Sequence, residues 1–512
     1  MPSERCAGIL LHPTSLPGQG LGDLGPQAYA FANFLAGARM GLWQVLPLSP
    51  PGYGNSPYSA ISAFAGNPLL ISLERLADRG WITHGEIQNQ LPQNGRINFD
   101  DVKAFKLPRL RQAALNFMNG SGNAAAHGLF ENFKRENSRW LDDYVLFLII
   151  RRVHQRTLWS AWPTELARRS PQALQTFAQT HAEALEVERA IQFAFFEQWR
   201  ALHHYCTQRA IRIVGDVAIF VNLDSADVWC NPHLFHLDAD LQPTVVAGVP
   251  PDLFSQTGQR WGNPLYNWET LRQRNYDWWV HRMAWSLKTC DVVRLDHFRG
   301  FESYWEIPAH EPTAIHGRWM PGPGDDLFRV LRERLGNLPF VAEDLGLITP
   351  AVHALRERLG VPGMKVLQFG FGDPGAHIYL PHNFSRDFVV YTGTHDNDTT
   401  LGWWQSGASE AEKRHAVEYF GQPADGINWA MIRAACASVA DMALVPMQDV
   451  LSLGSDARMN IPSQPDGNWG WRFAPGMLTA ELAGKLGAIA AVTDRLPRNL
   501  AGQQNAVSDF AA

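Results

Sequence analysis

Cysteine is scarce in this chain of 512 residues, and the few that occur are far apart in sequence. No Cys-x-x-Cys pair and no cysteine–histidine spacing typical of zinc sites is present, so we predict neither a structural zinc ion nor a redox centre. Scattered cysteines, odd in number, indicate reduced thiols in a cytoplasmic protein. They are Cys6, Cys206, Cys230, Cys290 and Cys436.

Long apolar runs and an excess of positive charge are missing as well. No uninterrupted stretch of about 18 apolar residues occurs, so we predict no membrane span. The opening Met-Pro-Ser-Glu-Arg-Cys is not followed by the apolar segment of a secretory signal. Lys and Arg number 44 against 50 Asp and Glu, a formal net charge of -6. We therefore expect no binding to nucleic acid or to an anionic membrane, and a neutral substrate suits this surface.

Short apolar runs do alternate with longer segments of helical pattern along most of the chain. Such alternation indicates βαβ units and a parallel sheet. Eight strand–helix repeats predict one catalytic (β/α)8 barrel over residues 1–512, an α/β fold whose active site lies at the C-terminal strand ends. The predicted strands are 7–11, 42–48, 211–219, 292–295, 338–343, 364–369, 388–394 and 442–447.

Two segments interrupt this rhythm. Residues 69–209 are mostly helical in pattern, and we interpret them as an insertion on the barrel rather than as an independent domain. Residues 222–275 are irregular and rich in Pro, Gly and Asn. We predict that they form a loop subdomain over the active-site face of the barrel.

The predicted fourth strand ends in charge, at Arg294-Leu-Asp296. Residues two apart in a strand share a face, so Arg294 and Asp296 point the same way, and the guanidinium favours an ionised carboxylate. A strand that presents an anionic carboxylate at its C-terminal end suits a nucleophile. The alternative is a buried ion pair with a structural role alone.

Other predicted strands end in the same manner. When carboxylates lie close together, their like charges raise the pKa of one group while the other stays ionised. The first can then act as an acid and the second as an ionised carboxylate. Retaining glycosidic chemistry needs two carboxylates roughly 5–5.5 Å apart, and neighbouring strands lie about 4.8 Å apart. Asp296 and Glu343 fit this spacing. The rim residues are Asp216, Arg294, Asp296, Glu343, Asp344, His395, Asp396 and Asp398.

A divalent metal is the rival interpretation, because Asp, Glu and His also bind Mg²⁺ or Mn²⁺ at barrel mouths. Arg294 beside Asp296 argues against it, since a guanidinium competes with a cation. We therefore predict no metal and no cofactor.

Tryptophan is abundant, with 19 residues, and flat aromatic faces suit the apolar faces of sugar rings. We place five near the barrel mouth: Trp261, Trp268, Trp319, Trp403 and Trp404. Three others, at helical spacing, are assigned to the core instead: Trp278, Trp279 and Trp285.

Four motifs, GDVAIFV (215–221), VVRLDHFRG (292–300), VAEDLG (341–346) and TGTHDND (392–398), resemble the conserved regions of the α-amylase clan. Together with GYGNSPYS (52–59) and the loop VPPD…GQRWGNPLY (249–266), their wording is similar to the 4-α-glucanotransferases, or amylomaltases, of glycoside hydrolase family 77. The resemblance extends from ILLHPTSLPG (9–18) to LGSDARMNIPS (453–463).

The resemblance implies roles for individual residues. Asp296 is then the nucleophile, Glu343 the acid/base, and Asp396, directly after His395, the third carboxylate. Arg294 orients Asp296, His395 binds the donor sugar, and Asp216 holds sugar hydroxyls or Arg294. Further residues similar to those lining the family's glucan path are Ser56, Tyr58, Gln259, Trp261, Asn263 and Asp373.

The predicted function is 4-α-glucanotransferase activity on maltodextrins, with transfer to a sugar 4-OH by a retaining double displacement through a covalent glycosyl-enzyme. A lid at 249–266 would favour transfer by excluding water. Three alternatives are an α-glucan hydrolase, a non-catalytic glucan-binding barrel and a metal-dependent isomerase.

Overall fold

Eight parallel strands form the central sheet of the computed structural model, which describes residues 5–88, 91–121, 124–251, 255–462, 464 and 466–497. Strands that are adjacent in the sheet order are hydrogen-bonded to each other. The two outer strands of this order are Phe340–Ala342 and Gly363–Val366. The N–H of Ala342 donates to the carbonyl of Pro362 at 2.8 Å and so connects these two strands. The sheet is thus a closed barrel, and the predicted fold class is confirmed. The strands are β1 Cys6–Leu10, β2 Leu42–Gln44, β3 Arg212–Val217, β4 Val292–Leu295, β5 Phe340–Ala342, β6 Gly363–Val366, β7 Phe388–Tyr391 and β8 Met442–Pro446.

Strand register decides which side chains fill the barrel. Val214 of β3 lies opposite Val292 of β4, and two residues further on Asp216 lies opposite Arg294. Val214 and Val292 belong to an apolar cluster formed by inward residues of the strands. Since residues two apart share a face, Asp216 and Arg294 also point inward, one layer closer to the C-terminal mouth.

Helices cover the outside of the barrel and bury its outward-facing side chains. Trp279 is fully buried and Trp278 nearly so, as predicted, while Trp285 packs against the same core from a half-buried position. The main covering helices are Pro26–Gly37, Ala182–Thr207, Asp277–Thr289, Gly324–Leu335, Pro350–Leu359, Glu410–Phe420, Ile427–Ala437 and Ala480–Val492.

The described part of the segment 69–209 is mostly helical, with turns and irregular backbone between the helices Leu73–Asp78 and Phe99–Met118. An aromatic stack of Trp81 on Phe117, with ring centroids 4.0 Å apart, lies at its centre and contacts Phe193 of the last helix. That helix also carries Gln192, which exchanges two hydrogen bonds with the backbone of Gly66. Its assignment as an insertion stays a prediction. Its helices are Leu73–Asp78, Phe99–Met118, Ala124–Val153, Thr164–Ala167, Pro171–Thr180 and Ala182–Thr207.

The segment 222–275 is less irregular than predicted. Strands Val245–Val249 and Gln259–Pro264 pair in antiparallel fashion, and Ser303–Pro308 and Arg318–Pro321 extend them into a four-stranded sheet, here called the side sheet. The local sequence hides it because Val245–Val249 pairs with a strand more than 50 residues later, and a bulge between Val246 and Gly248 interrupts the alternation. The subdomain boundary itself stays a prediction.

The described residues contain no helix with the length and apolar character needed to cross a membrane. The thiols of Cys206, Cys290 and Cys436 are buried, and burial raises their pKa values to about 12, 12 and 11. A thiol with so high a pKa stays protonated near neutral pH and is a poor nucleophile.

Candidate active site

Arg294 is the centre of a charged network at the barrel mouth. Its Nη1 group donates to both carboxylate oxygens of Asp216 at 2.8 Å and to Oδ1 of Asp296 at 2.9 Å. Burial opposes the guanidinium charge, but the two carboxylates outweigh burial and raise the pKa of Arg294 well above its usual value. The result is a permanent cation, paired with Asp216 and Asp296, that repels a divalent metal ion.

Glu343 follows β5 directly and is bound to the loop after β4. Its carboxylate accepts the N–H of His297 at 2.7 Å and the N–H of Leu345 at 3.0 Å. Burial raises the pKa of Glu343 to about 7; the Arg294 cation opposes this shift, and the charge of Asp296 adds to it. Because His297 is the residue after Asp296, the two predicted catalytic carboxylates face one site at the ends of paired strands.

His297 shows how the chain turns between these groups. Its φ of 50° lies in the left-handed region, which is uncommon for a residue other than glycine. Its ring lies in a T-shaped contact with Trp261, 4.9 Å between centroids, and burial lowers its pKa to about 4. Unusual backbone conformations cluster at functional sites because the surrounding structure holds them there.

The loop after β7 offers one open carboxylate rather than two. Oδ1 of Asp396 accepts Nδ2 of Asn460 at 2.6 Å and lies 3.4 Å from Nε2 of His395. Asp398 is used otherwise: its two oxygens accept the N–H of Thr399 and the hydroxyl of Ser455. The geometry thus favours Asp396 over Asp398 for contact with a ligand.

Tyr58, from the loop after β2, links the two halves of the mouth. Its hydroxyl donates to Oδ2 of Asp216 at 2.7 Å, and its ring stacks on His395 with centroids 5.1 Å apart. Burial raises the pKa of Tyr58 well above its usual value, so it remains a donor. Asp216 therefore holds Arg294 and Tyr58, and Ser56 supports the loop by accepting the N–H of Tyr58.

The remaining predicted glucan-path residues lie further out. Trp261 is 39% exposed, and its indole N–H donates to Gln259 within the same strand of the side sheet. Asn263 donates to the carbonyl of Val221 at 2.9 Å, which ties the side sheet to the loop after β3. Asp373 is exposed and directly precedes the short helical segment Pro374–Tyr379.

Not every aromatic that we placed at the mouth lies there. Trp268 packs against Tyr266 and Trp279, and Trp403 is buried against Phe371. Trp403 belongs to the main core, and Trp268 packs against this core from a half-buried position.

Sequence reasoning missed three residues of the site. His12 directly follows the β1 region and is buried, and burial together with the nearby His395 lowers its pKa to about 3. Trp469 lies 6.0 Å from the rings of both Tyr58 and His395. Position at a strand end could have indicated His12, and Asn460 lies in the motif LGSDARMNIPS (453–463), whereas the sequence around Trp469 gave no signal.

An arginine-held carboxylate and a half-buried carboxyl of raised pKa, at neighbouring strand ends of a parallel barrel, are typical of barrel enzymes that act on glycosidic bonds with retention. Comparison with known proteins identifies the family within this class of enzymes. The model of the 4-alpha-glucanotransferase family, Glyco_hydro_77, matches residues 11–479, and the chain belongs to this family. The predicted family and enzyme class are thereby confirmed.

Similar proteins cover almost the whole chain. The 4-alpha-glucanotransferase of Thermus thermophilus is 47% identical over 505 residues, covering 97% of this chain and 100% of the relative. The chloroplastic/amyloplastic enzyme of Solanum tuberosum is 44% identical, covering 92% of this chain and 82% of its own length.

Solved structures agree with the sequence comparison. The amylomaltase of Streptococcus agalactiae, determined in complex with acarbose, is 37% identical with a TM-score of 0.92 and covers 96% of this chain and 100% of its own. The amylomaltase of Corynebacterium glutamicum, 17% identical with a TM-score of 0.74 over 95% of this chain and 75% of its own, shares the fold.

Proposed function

We propose that the chain moves α-1,4-glucan segments from a donor maltodextrin to the 4-OH of glucose or of another maltodextrin, by a retaining double displacement. One observation carries the mechanism. The amide next to Asp296 is bound to the carboxylate of Glu343, while Arg294 holds Asp296 itself. An ionised carboxylate and a protonatable one thus face the same site, as retention requires.

In the first step Asp296 attacks the anomeric carbon of the donor. The bond from that carbon to the glycosidic oxygen breaks, and Glu343 gives its proton to the departing oxygen. A glycosyl ester on Asp296 and a shortened glucan result. Arg294 holds the carboxylate of Asp296 in place for attack through a hydrogen bond, and the raised pKa of Glu343 keeps a proton available near neutral pH.

In the second step a sugar 4-OH takes the place of the departed glucan. Glu343, now ionised, accepts the hydroxyl proton while the oxygen attacks the anomeric carbon. The ester bond breaks, Asp296 returns as a carboxylate, and the new linkage keeps the α configuration. Each carboxyl group ends the cycle in its starting protonation state, as a double displacement demands.

The donor sugar is assigned to the side of the site built by the loops after β2 and β7. Tyr58, His395 and Asp396 present a hydroxyl, an imidazole and a carboxylate there, and the stack of Tyr58 on His395 fixes their orientation. Polar groups that are already held in place bind sugar hydroxyls without a further ordering cost. The acarbose complex of the 37%-identical amylomaltase supports binding of α-glucans by this chain.

Transfer instead of hydrolysis requires that water be excluded from the glycosyl ester. We assign this role to the loop 249–266, whose residues 252–254 lie outside the described part of the chain. Trp261 of this loop packs against His297 and so reaches the residue beside the nucleophile. Buried thiols, with high pKa values, fit the cytoplasmic location predicted from the sequence.

Replacement of Asp296 by Asn tests the proposal. We expect turnover of maltotriose to be lost, because a neutral amide does not form the glycosyl ester. The measurement is chromatographic sizing of the products, where wild type should give glucose together with a ladder of longer maltodextrins.

Asp78→Asn, at an exposed carboxylate paired with His84, is the matched control and should retain activity. Near-normal activity of the Asp296→Asn variant would remove Asp296 from this role. Shorter products alone from wild type would instead favour an α-glucan hydrolase.

A further inference from the structure

Trp319 is an exposed aromatic residue to which the mechanism above assigns no part. It lies on the side sheet, in strand Arg318–Pro321, and is 37% exposed. Trp305 is its direct partner on the next strand, with the two rings in a T-shaped contact at 5.2 Å. The guanidinium of Arg299 lies 3.7 Å from the Trp319 ring centroid. The indole of Trp319 is thus held by two contacts, one with Trp305 and one with Arg299.

The residue beneath Trp319 joins both catalytic loops. Arg299 comes three residues after Asp296, and its Nη1 donates to the carbonyl of Leu347, four residues after Glu343. Arg299 is itself buried. Trp319 therefore packs on an arginine that connects the loop after Asp296 to the loop after Glu343.

This position places Trp319 on one side of the reacting bond. The donor side of the site is built from the loops after β2 and β7, with Tyr58 and Asp396. The loop after β5 extends from Glu343, the group that protonates the departing oxygen and later takes the acceptor proton. A sugar next to that oxygen on the far side of the bond is the leaving glucan in the first step and the acceptor in the second.

The local surface suits a sugar ring. Leu347, whose carbonyl accepts the hydrogen bond from Arg299, is 56% exposed, so both residues that contact Arg299 here carry exposed apolar side chains. The CH faces of a pyranose pack on such surface, and an indole held by its neighbours loses little side-chain entropy when it binds.

We propose that Trp319, supported by Arg299, is the platform that binds the acceptor sugar. The inference rests on the proposed double displacement and assigns a residue to its second step. Trp319 binds substrate and takes no part in bond breaking. A glucan bound on Trp319 places its 4-OH next to the glycosyl ester. The 4-OH then competes better with water for the ester, which favours transfer over hydrolysis.

The test uses α-maltotriosyl fluoride as donor, because its leaving group is a single atom that leaves the acceptor position free. Fluoride release is measured with wild type and with Trp319→Ala, Trp319→Phe and Trp319→Leu, first in water and then over a range of glucose concentrations. Leu129→Ala, at an exposed side chain on the helix Ala124–Val153, is the control and should match wild type.

We expect the KM for glucose to rise by about fivefold in Trp319→Ala and Trp319→Leu, of the order that one aromatic contact contributes. Trp319→Phe should keep most of the acceptor affinity, because it keeps a flat ring. In Trp319→Ala and Trp319→Leu the change in the KM for glucose should exceed the change in fluoride release in water several-fold.

Two results would overturn the inference. One is a KM for glucose that stays at the wild-type value in Trp319→Ala. The other is a fall in fluoride release in water as large as the loss of transfer, because Trp319 would then act by supporting the nucleophile loop. Absence of fluoride release from wild type would instead refute the double displacement on which the inference rests.

Discussion

The raised pKa of Glu343 makes a prediction about folding as well as catalysis. Burial places this pKa at about 7 in the folded chain, against an ordinary value of 4.5. A carboxyl group whose pKa is raised on folding contributes its full stability below the unfolded pKa and loses it as pH rises through the folded pKa. Glu343→Gln removes the titrating group, so the unfolding free energy of the variant should not fall in this way as pH rises.

The size of the effect follows from the two pKa values. One pKa unit corresponds to about 1.4 kcal/mol, so the full shift is worth roughly 3 kcal/mol. Integrated between pH 5 and pH 8, wild type should lose on the order of 2–3 kcal/mol of unfolding free energy relative to the variant. Buried carboxyls such as Asp227 and Asp344, with pKa values raised to about 6, are present in both proteins and cancel in the comparison.

The assay is urea unfolding of wild type and Glu343→Gln at several pH values from 5 to 8. The quantity compared is the difference in unfolding free energy, which should move in favour of the variant as pH rises. Glu481→Gln, at an exposed side chain in the first turn of the last helix, is the control and should follow wild type. A difference that is constant over this range, or that moves in the opposite direction, would refute the reasoning.

Three further predictions concern activity. The kcat/KM for maltotriose should fall on the alkaline side of a pKa near 7, because Glu343 must carry a proton in the free enzyme; a profile flat to pH 9 would contradict this. Trp261→Ala should raise the ratio of hydrolysis to transfer, measured as glucose released against longer products from maltotriose, and an unchanged ratio would reject the lid. Asn460→Ala should lower kcat/KM by roughly tenfold, since Asp396 loses a hydrogen bond to a charged group; full activity would show that Asp396 is held by other contacts.

Local pattern was sufficient for the parts of the fold that depend on neighbours in sequence. The strand Val292–Leu295 has the predicted bounds, because an apolar run closed by charged residues is a complete signal in itself. Predicted strands such as 42–48 proved longer than the observed Leu42–Gln44, since apolar residues continue into loops that pack on the core.

The side sheet could not be predicted in this way. Its strands are separated by loops and pair across more than 50 residues, so no turn signal announces them. The platform formed by Trp319 and Arg299 depends on this sheet and exists only once Arg318–Pro321 lies against the loop after β4.

The eight-strand barrel, the charged groups at the strand ends and the family could all be predicted from the chain, because alternation and strand-end position are properties of short segments. Tertiary structure alone decided that Arg294 joins Asp216 to Asp296 and that Asn460, from the loop after β8, holds Asp396. The physical reason is closure of the barrel: pairing of β1 with β8, more than 400 residues apart, brings distant loops around one mouth, and no local pattern encodes which of their side chains meet.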